Sequence, residues 1–540
     1  MHIDPIQLNG QNKLIRDYRN NDDAIMSYFD YAFSLTDLNN RVRDLNNRQF
    51  KREQLSECLL SMNKAWDASN KTITNIHRLK DENSVVIIGG QQAGILTGPM
   101  YTINKIISIL YHAKEQEKSL GIPVIPVFWI AGEDHDFDEI NHVYLPGKKE
   151  MQKHKLLQKV MYKYPVSDIK LDKPVVEEWL YQICSQLKET AYTNDLYQSL
   201  QNCLFLSETY VDFFARIIHL LFAEEGLVLV DSGNEALRKL ESDYFVRMLE
   251  KQSEISSGVY ETIRRIKEKD YPVSLDCNER DAHLFYHYNN ERILLTRDQN
   301  GDWLGKQDEV KLTTEEILHI AENYPEQLSN NVVTRPVMQE LLFPSLAFIG
   351  GPGEIAYWSV LKPAFHALDM KMPPVLPRLS FTYIDRHIEK IAHKYNISIE
   401  SAVNGGIDQV RADWLASQHN PQVHAVVAQL KQTLTEAHKP LREIAKNLRA
   451  DLGEIGERNL SHLHSEIAYF EKRILQAIEE KCSKELEEFD LLQKALHPAG
   501  GLQERIWNPL PFINEHGASF ISQLLDQSFR MDEDHYIVYL

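Results

Sequence analysis

The amino-acid sequence predicts an α/β fold: an open, mostly parallel sheet with inserted connecting segments, followed by an α-helical coiled-coil region. Short apolar runs that end in glycine-rich or acidic turns alternate with helical patterns over residues 1–395, as expected of strands covered on both faces. From about His419 apolar residues recur instead at three and four, the spacing of one stripe on long helices. A chain of 540 residues has room for one large core of roughly 200–400 residues with insertions or a second domain.

Residues Asp22–Ile76 are polar, with Phe29, Phe33, Leu38, Val42 and Leu45 at helical spacing, and read as a helical lead-in without visible chemistry. At Ser84 the character changes. VVIIGGQQAGILTGP is a strand and a glycine-rich loop, and the helical pattern Ile103, Ile106, Ile107, Leu110 follows. IPVIPVFWIAGEDHD is a second strand with its polar end after it. A helical, charge-rich stretch from about Val175 to Glu225 precedes GLVLVDSGN, a third strand ending in Asp231 and Ser232. DCNERDAHLFYHYNNERILLTRDQNGDW reads as short strands, the last pair turning near Gln299-Asn300-Gly301. Segments 150–225 and 235–330 are therefore insertions. SLAFIGGPGEIAYWSVLKPAFHAL repeats strand, glycine loop and helix, and PPVLPRLSFTYID is the last candidate strand.

The helical region is expected over 396–497. Its stripe runs through Leu441, Ile444, Leu448, Leu452, Ile455, Leu463, Ile467, Phe470, Ile474, Ile478, Cys482, Leu486 and Phe489. Charged flanks such as EKRILQAIEEKCSKELEEF predict an antiparallel hairpin, pairing with a second copy, or both, with a turn at Gly453 and Gly456. Residues 498–540 then dock back on the core.

Composition excludes several classes. Apolar residues make up 43% and charged residues 25%, as in globular proteins. Lys and Arg number 59 against 78 Asp and Glu, a formal charge of −19, which argues against binding nucleic acid or an anionic membrane. The five cysteines (Cys58, Cys184, Cys203, Cys277, Cys482) form no CxxC pair and are odd in number, which favours reduced thiols in a cytoplasmic protein. The N-terminus lacks an apolar signal core, and no stretch approaches the roughly 18 apolar residues of a membrane span.

In open parallel sheets ligands bind beyond the carboxyl ends of the strands. Three runs point at that edge, ending in Gly89-Gly90-Gln91-Gln92, Gly132-Glu133-Asp134-His135-Asp136 and Gly350-Gly351-Pro352-Gly353-Glu354. The first has neither the Lys-Ser/Thr of a P-loop nor GxGxxG spacing. Its glycines let backbone approach a ligand, Gln91 and Gln92 offer donors and acceptors, and Thr97-Gly98-Pro99 opens the next helix. A tight structural turn accounts for the same residues. GEDHDFDEINH can bind an amine, take a proton or hold a divalent ion, and a solvated acidic helix start is the alternative. His135 and His142 form neither HxH nor HExxH, so no zinc site is expected. Glu354 enters the first turn of a helix with Tyr357 one turn on, and Arg335 and Gln339 lie upstream. An arginine fork matches a carboxylate bidentately, although a surface ion pair explains a lone arginine equally. After the long helices, Gln503, Arg505, Trp507 and Asn508 either stack a base and hold a phosphate or dock the C-terminus.

Four segments, VVIIGGQQAGILTGPMYTINK, PVFWIAGEDHDFDEINH, TRPVMQELLFPSLAFIGGPGEIAYW and HPAGGLQERIWNPLPF, span most of the chain. Together they resemble the bacillithiol cysteine-adding family. The resemblance implies a Rossmann-like core with inserted connecting segments, similar to class I aminoacyl-tRNA synthetases and nucleotidyltransferases, and a coiled coil that supports a homodimer. It implies a ligase joining the carboxyl of cysteine to the amine of glucosaminyl malate, the last step of bacillithiol biosynthesis. ATP, with Mg²⁺ accompanying the nucleotide, is implied as the activator of the cysteine carboxyl, although no motif shows this independently.

Carried onto the matching motifs, the resemblance makes Asp134 or His135 the expected base. Gln91, Gln92, Thr97, Gly98, Glu133 and Asp136 are expected to orient substrate. Arg335, Gln339, Gly351, Gly353, Glu354 and Tyr357 are expected to complete the substrate site and hold its anionic groups. Arg378, Ser380, Thr382, Asp385, Arg505, Trp507 and Asn508 are the expected nucleotide pocket, and no metal ligand is expected from the protein. Two other readings compete: a nucleotide-binding transferase acting on a different amino sugar, and a coiled-coil interaction protein with an inert sheet.

Overall fold

The computed structural model describes residues 1–34, 38–160, 163–289, 291–307, 309–418 and 422–540. The chain divides into two compact units, one of residues 1–145, 152–383 and 503–540, the other of 146–151 and 384–502. The change of pattern placed near His419 falls on residues 419–421, outside the described residues.

In chain order the strands are β1 (His2–Ile6), β2 (Val85–Gln91), β3 (Val124–Ile130), β4 (His142–Pro146), β5 (Met151–Lys155), β6 (Val228–Asp231), β7 (Asp281–Tyr288) and β8 (Glu291–Arg297). They continue with β9 (Trp303–Gly305), β10 (Lys311–Leu312), β11 (Leu328–Asn330), β12 (Ser345–Gly350), β13 (Val375–Pro377), β14 (Phe381–Ile384) and β15 (His535–Tyr539). The central sheet runs β13-β12-β2-β3-β6 and every pairing in it is parallel. Its strands read as continuous apolar runs because both faces are covered: Val124–Ile130 is buried at every position. The crossover from β2 to β3 is the helix Tyr101–Leu120, which Gly121 ends in the left-handed conformation.

Gly89 and Gly90 belong to strand β2 and not to a loop. A Cβ on Gly90 would lie 2.6 Å from the Trp129 carbonyl oxygen of β3, so strand packing accounts for this glycine.

Ahead of the lead-in the chain has a strand, β1, paired antiparallel to β15 with His2 opposite Tyr539. Two local expectations are corrected. Phe29 and Phe33 lie outside helices and stack on Tyr18 at 4.7 and 5.6 Å, so their spacing reflects a shared aromatic contact. The run PPVLPRLSFTYID is two strands, β13 in the parallel sheet and β14 in the separate sheet β1-β15-β14. Between them the Leu379 N–H donates to Ser108 Oγ at 2.9 Å, which takes the chain out of the first sheet.

The second insertion contributes an antiparallel sheet of order β10-β9-β8-β7-β11, with β8 and β9 turning through Gly301 at φ +89°. The earlier insertion is helical over Lys173–Ser185, Thr193–Leu206 and Tyr210–Leu221.

In the helical unit, Val423–Leu448 and Ala450–Lys481 form an antiparallel hairpin tied by Arg442–Glu457 and Thr435–His464. The chain reverses at Arg449, which is extended, and not at the two glycines. Gly453 and Gly456 sit inside the second helix, where a Cβ would meet Lys446 and Arg442 at 3.1 and 3.2 Å, so they permit close approach of the helices. Along the stripe, Leu441, Ile444, Leu448, Ile455 and Phe470 are exposed, whereas Leu486 and Phe489 are buried, Phe489 against Tyr395 and Trp414. No helix among the described residues is long and apolar enough to cross a membrane.

Candidate active site

The carboxyl ends of β2, β3, β12 and β13 open on one cleft of about 680 Å³. Gln91 and Gln92 reach it from β2, Asp134 from β3, Gly351 to Glu354 from β12 and Arg378 from β13. Arg335, Gln339 and Tyr357 complete one wall, and Arg505 lies at the rim. Three turns far apart in sequence therefore meet at one edge, as parallel topology dictates.

Glu133 and Asp134 are neighbours with different roles. Glu133 is fully buried and held between Arg238 and Arg335, the latter donating from Nε to Oε1 at 2.6 Å. Burial alone would raise its pKa, but Arg238, Arg335 and Arg292 pull it down to about 2. With the Asn330 N–H also donating to it, Glu133 has no room for substrate and joins β3 to the helix after β6 and to the end of β11. The expectation that it binds substrate is corrected accordingly. Asp134 stands at the cleft edge and accepts from Arg335 and, at 3.5 Å, from Arg292, both on Oδ1. Its Oδ2 has no hydrogen bond among the described residues.

His135 lies behind Asp134, outside the cleft lining, with Nδ1 3.3 Å from Arg292 Nη1 and its ring edge-on to Phe285. Burial first, then Arg292, lowers its pKa and favours the neutral ring. Asp136 is exposed and lies outside the lining.

The helix start after β12 already holds an anion. The Gly351 N–H donates to Glu354 Oε2 at 2.8 Å, a capping interaction that fills the slot expected to take a ligand carboxylate. Lys105 meets the same oxygen at 2.5 Å while donating to the Gly90 carbonyl at 2.7 Å and to Gln91 Oε1 at 3.0 Å. Gly353 faces open space, and Gln339 keeps a buried Oε1 without a partner among the described residues. Gln92 is held by Glu139 at 2.8 Å.

Thr97 and Gly98 do not reach the cleft. Both are at positive φ in a tight turn, and Asn508 Nδ2 donates to the Leu96 and Gly98 carbonyls at 2.9 and 2.7 Å. Asn508 is therefore a clamp on that turn. The other residues expected around a nucleotide also separate. Ser380 and Thr382 are hydrogen-bonded to the two ring nitrogens of buried His535 at 2.7 and 2.8 Å. Arg378 is engaged bidentately by buried Glu504 at 2.7 and 2.5 Å. Trp507 packs on Phe512, and Asp385 caps the helix Arg386–Lys394 in the helical unit. Of that set only Arg378 and Arg505 line the cleft.

Sequence reasoning missed Lys105, Tyr101 and Arg292. Lys105 carried a signal: a lysine amid Ile103, Ile106 and Ile107, in the apolar first half of its helix, must be paired or face a site. Arg292 carried none, because an arginine on a strand of an insertion is ordinarily a surface residue.

Residues 1–379 match the family described as "Bacillithiol biosynthesis BshC, N-terminal Rossmann-like domain", and residues 381–540 match "Bacillithiol biosynthesis BshC, C-terminal coiled-coil domain". Among curated relatives, "Putative cysteine ligase BshC" of Oceanobacillus iheyensis is 43% identical over 544 residues, covering 100% of both chains. Proteins of the same name from Bacillus cytotoxicus and Bacillus anthracis are 40% and 38% identical, each match covering 98% of both chains. With a parallel Rossmann-like sheet, a helical coiled-coil region and full-length similarity of this order, the chain belongs to the BshC family of bacillithiol biosynthesis.

Proposed function

We propose that the protein is a ligase that forms the amide bond between the carboxyl of L-cysteine and the amine of glucosaminyl malate, the last step of bacillithiol biosynthesis in the cytoplasm. The observation that carries this reading is the cleft itself, in which the free Oδ2 of Asp134 stands among Lys105, Arg335, Arg378 and Arg505. A carboxylate suits the amine, and Arg505, the one of these cations with no ion pair among the described residues, suits a carboxylate or a phosphate, while Lys105, Arg335 and Arg378 are held by Glu354, Asp134 and Glu504.

A carboxylate and an ammonium do not condense unaided. ATP, bound with Mg²⁺, would convert the cysteine carboxylate to an adenylate with release of pyrophosphate, or to an acyl phosphate with release of ADP. The sugar amine then attacks the carbonyl carbon, the C–N bond forms, AMP or phosphate leaves, and the amine proton passes to a base. Asp134, tied to two arginines, fits the role of accepting the N–H of the amine. Asp134 or His135 is the base in this reading: Asp134 lines the cleft, and His135 is held neutral behind it, outside the lining. Arg505, exposed at the rim and without an ion pair among the described residues, is the cation assigned to the nucleotide phosphates. The exposed apolar stripe on the helical hairpin supports a homodimer formed through the coiled coil.

The test is incubation of purified protein with L-cysteine, glucosaminyl malate and Mg·ATP, with the amide followed by mass spectrometry. AMP or ADP identifies the activation. Asp134→Ala and His135→Ala should abolish product without unfolding, and full turnover by either variant removes that residue from the chemistry. Product from another amino sugar, with none from cysteine, would favour the transferase reading.

A further inference from the structure

Most of the positive charge inside the cleft is already spent. Lys105, Arg335 and Arg378 are each paired with a carboxylate, which leaves Arg505 at the rim. The whole chain carries a net charge of −19, so an incoming polyanion is repelled unless one part of the surface is positive. One stretch is. Residues 152–163 hold Lys153, Lys155, Lys159 and Lys163 and no acid, and all four side chains are exposed. Of the four, only Lys155 has an ion pair among the described residues, with Asp138 at 2.7 Å.

Three ties put this stretch at the mouth of the cleft. β4 and β5 pair as a two-stranded sheet, and Tyr144 of β4 bridges to Trp507, two residues from Arg505. The Leu156 N–H donates to the Asn141 carbonyl at 2.7 Å, next to His142 in the cleft lining. Three residues past Lys163, the Val166 N–H donates to the Asp134 carbonyl at 2.8 Å. The electrostatics agree. Burial first, then Lys153, lowers the pKa of His142, and Lys163 adds to the lowering at His135 after burial and Arg292. The facing turn carries the opposing charges Asp136, Asp138 and Glu139, but Lys155 holds Asp138 and Glu139 accepts from Gln92.

We propose that Lys153 and Lys163, with Arg505, form a positive lip that captures a small polyanion, a nucleotide phosphate chain or a malate dicarboxylate, for the cleft. The choice of anions rests on the ligase reading above. An exposed lysine is a mobile point charge on a long stem, so the lip acts through its field and not through fixed hydrogen bonds. Its contribution is therefore screened by salt, which distinguishes it from the buried pairs of the cleft.

The experiment is calorimetric titration of the full chain with a non-hydrolysable Mg·ATP analogue, with glucosaminyl malate and with L-cysteine, each at about 20 and about 200 mM NaCl. Lys153→Gln combined with Lys163→Gln should weaken one or both anions by about threefold or more at low salt, with the difference fading at high salt. L-Cysteine, which has no net charge, should bind unchanged, and the anion that responds identifies the source. Lys114→Gln combined with Lys118→Gln removes the same charge about 20–25 Å from Tyr101, at the far end of the helix Tyr101–Leu120, and should leave all three ligands unchanged. A rim pair that behaves like the distant pair overturns the lip while the ligase reading stands, and so does a rim pair that weakens cysteine as much as the anions. Salt-sensitive anion binding that needs the rim lysines, in a wild-type protein that makes no amide, upholds the lip and overturns the ligase reading. A wild-type protein that binds neither anion overturns both.

Discussion

Lys105 Nζ lies 2.5 Å from Glu354 Oε2, which joins the helix after β2 to the helix after β12 across the cleft wall. All three protons of the ammonium are used, on the Gly90 carbonyl, Gln91 and Glu354, so the lysine fixes the positions of groups that face a ligand. Burial lowers the pKa of this lysine and Glu354 opposes the shift, so the charged form depends on its partner.

Lys105→Met should therefore lower amide-forming kcat by at least tenfold and reduce stability by about 1–3 kcal/mol, because the acceptors it served are left unpaired. Urea unfolding beside steady-state turnover separates the two effects. Full activity at reduced stability would show that Lys105 is only structural.

Acid stability follows from Glu133 and Glu504, each held at about 2 by arginines despite burial. Between their ordinary value near 4.5 and about 2 the unfolded chain binds more protons than the folded one. Their contribution is complete above pH 4.5 and is lost as pH falls toward 2. Glu133→Gln should cost about 3–5 kcal/mol at pH 7, because Arg238 and Arg335 lose a buried counter-charge, and should flatten the acid limb of a stability-against-pH curve.

Two glycines separate packing from site chemistry. Gly90→Ala puts a methyl against the Trp129 carbonyl and should destabilise by about 1–3 kcal/mol. Gly353→Ala meets nothing within 4 Å and lies in a helix, so stability should hold or rise by up to about 1 kcal/mol. A fall in turnover with the second variant alone would mark Gly353 as ligand-facing.

Ile444→Glu combined with Leu448→Glu should convert a dimer to a monomer in sedimentation velocity, because both side chains are exposed apolar groups on the hairpin. A wild-type protein that sediments as a monomer before mutation refutes the homodimer.

The parallel strands were legible because full burial forces continuous apolar runs, and the hairpin because its stripe keeps helical period. The turns at Gln91, Asp134 and Gly351 were legible by the rule that strand ends converge. Side-chain pairing over long separations was not. Glu133 looks like part of an acidic cluster until Arg238, Arg292 and Arg335 are placed around it, and Ser380 and Thr382 look available until His535 is placed between them. Gly453 and Gly456 read as a turn because glycine permits one, whereas here it permits close helix contact.

Among the described residues the inserted antiparallel sheet shares no hydrogen-bonded strand with the parallel sheet. It is tied beside the cleft by Arg292 on Asp134 and by the Asn330 N–H on Glu133. The Glu133 part of that tie is fully buried, so it is little weakened by added salt but is intolerant of length: replacing Glu133 with Asp keeps the charge and shortens the reach by one methylene. The length of one acidic side chain thus sets the local separation of the two sheets at Asn330.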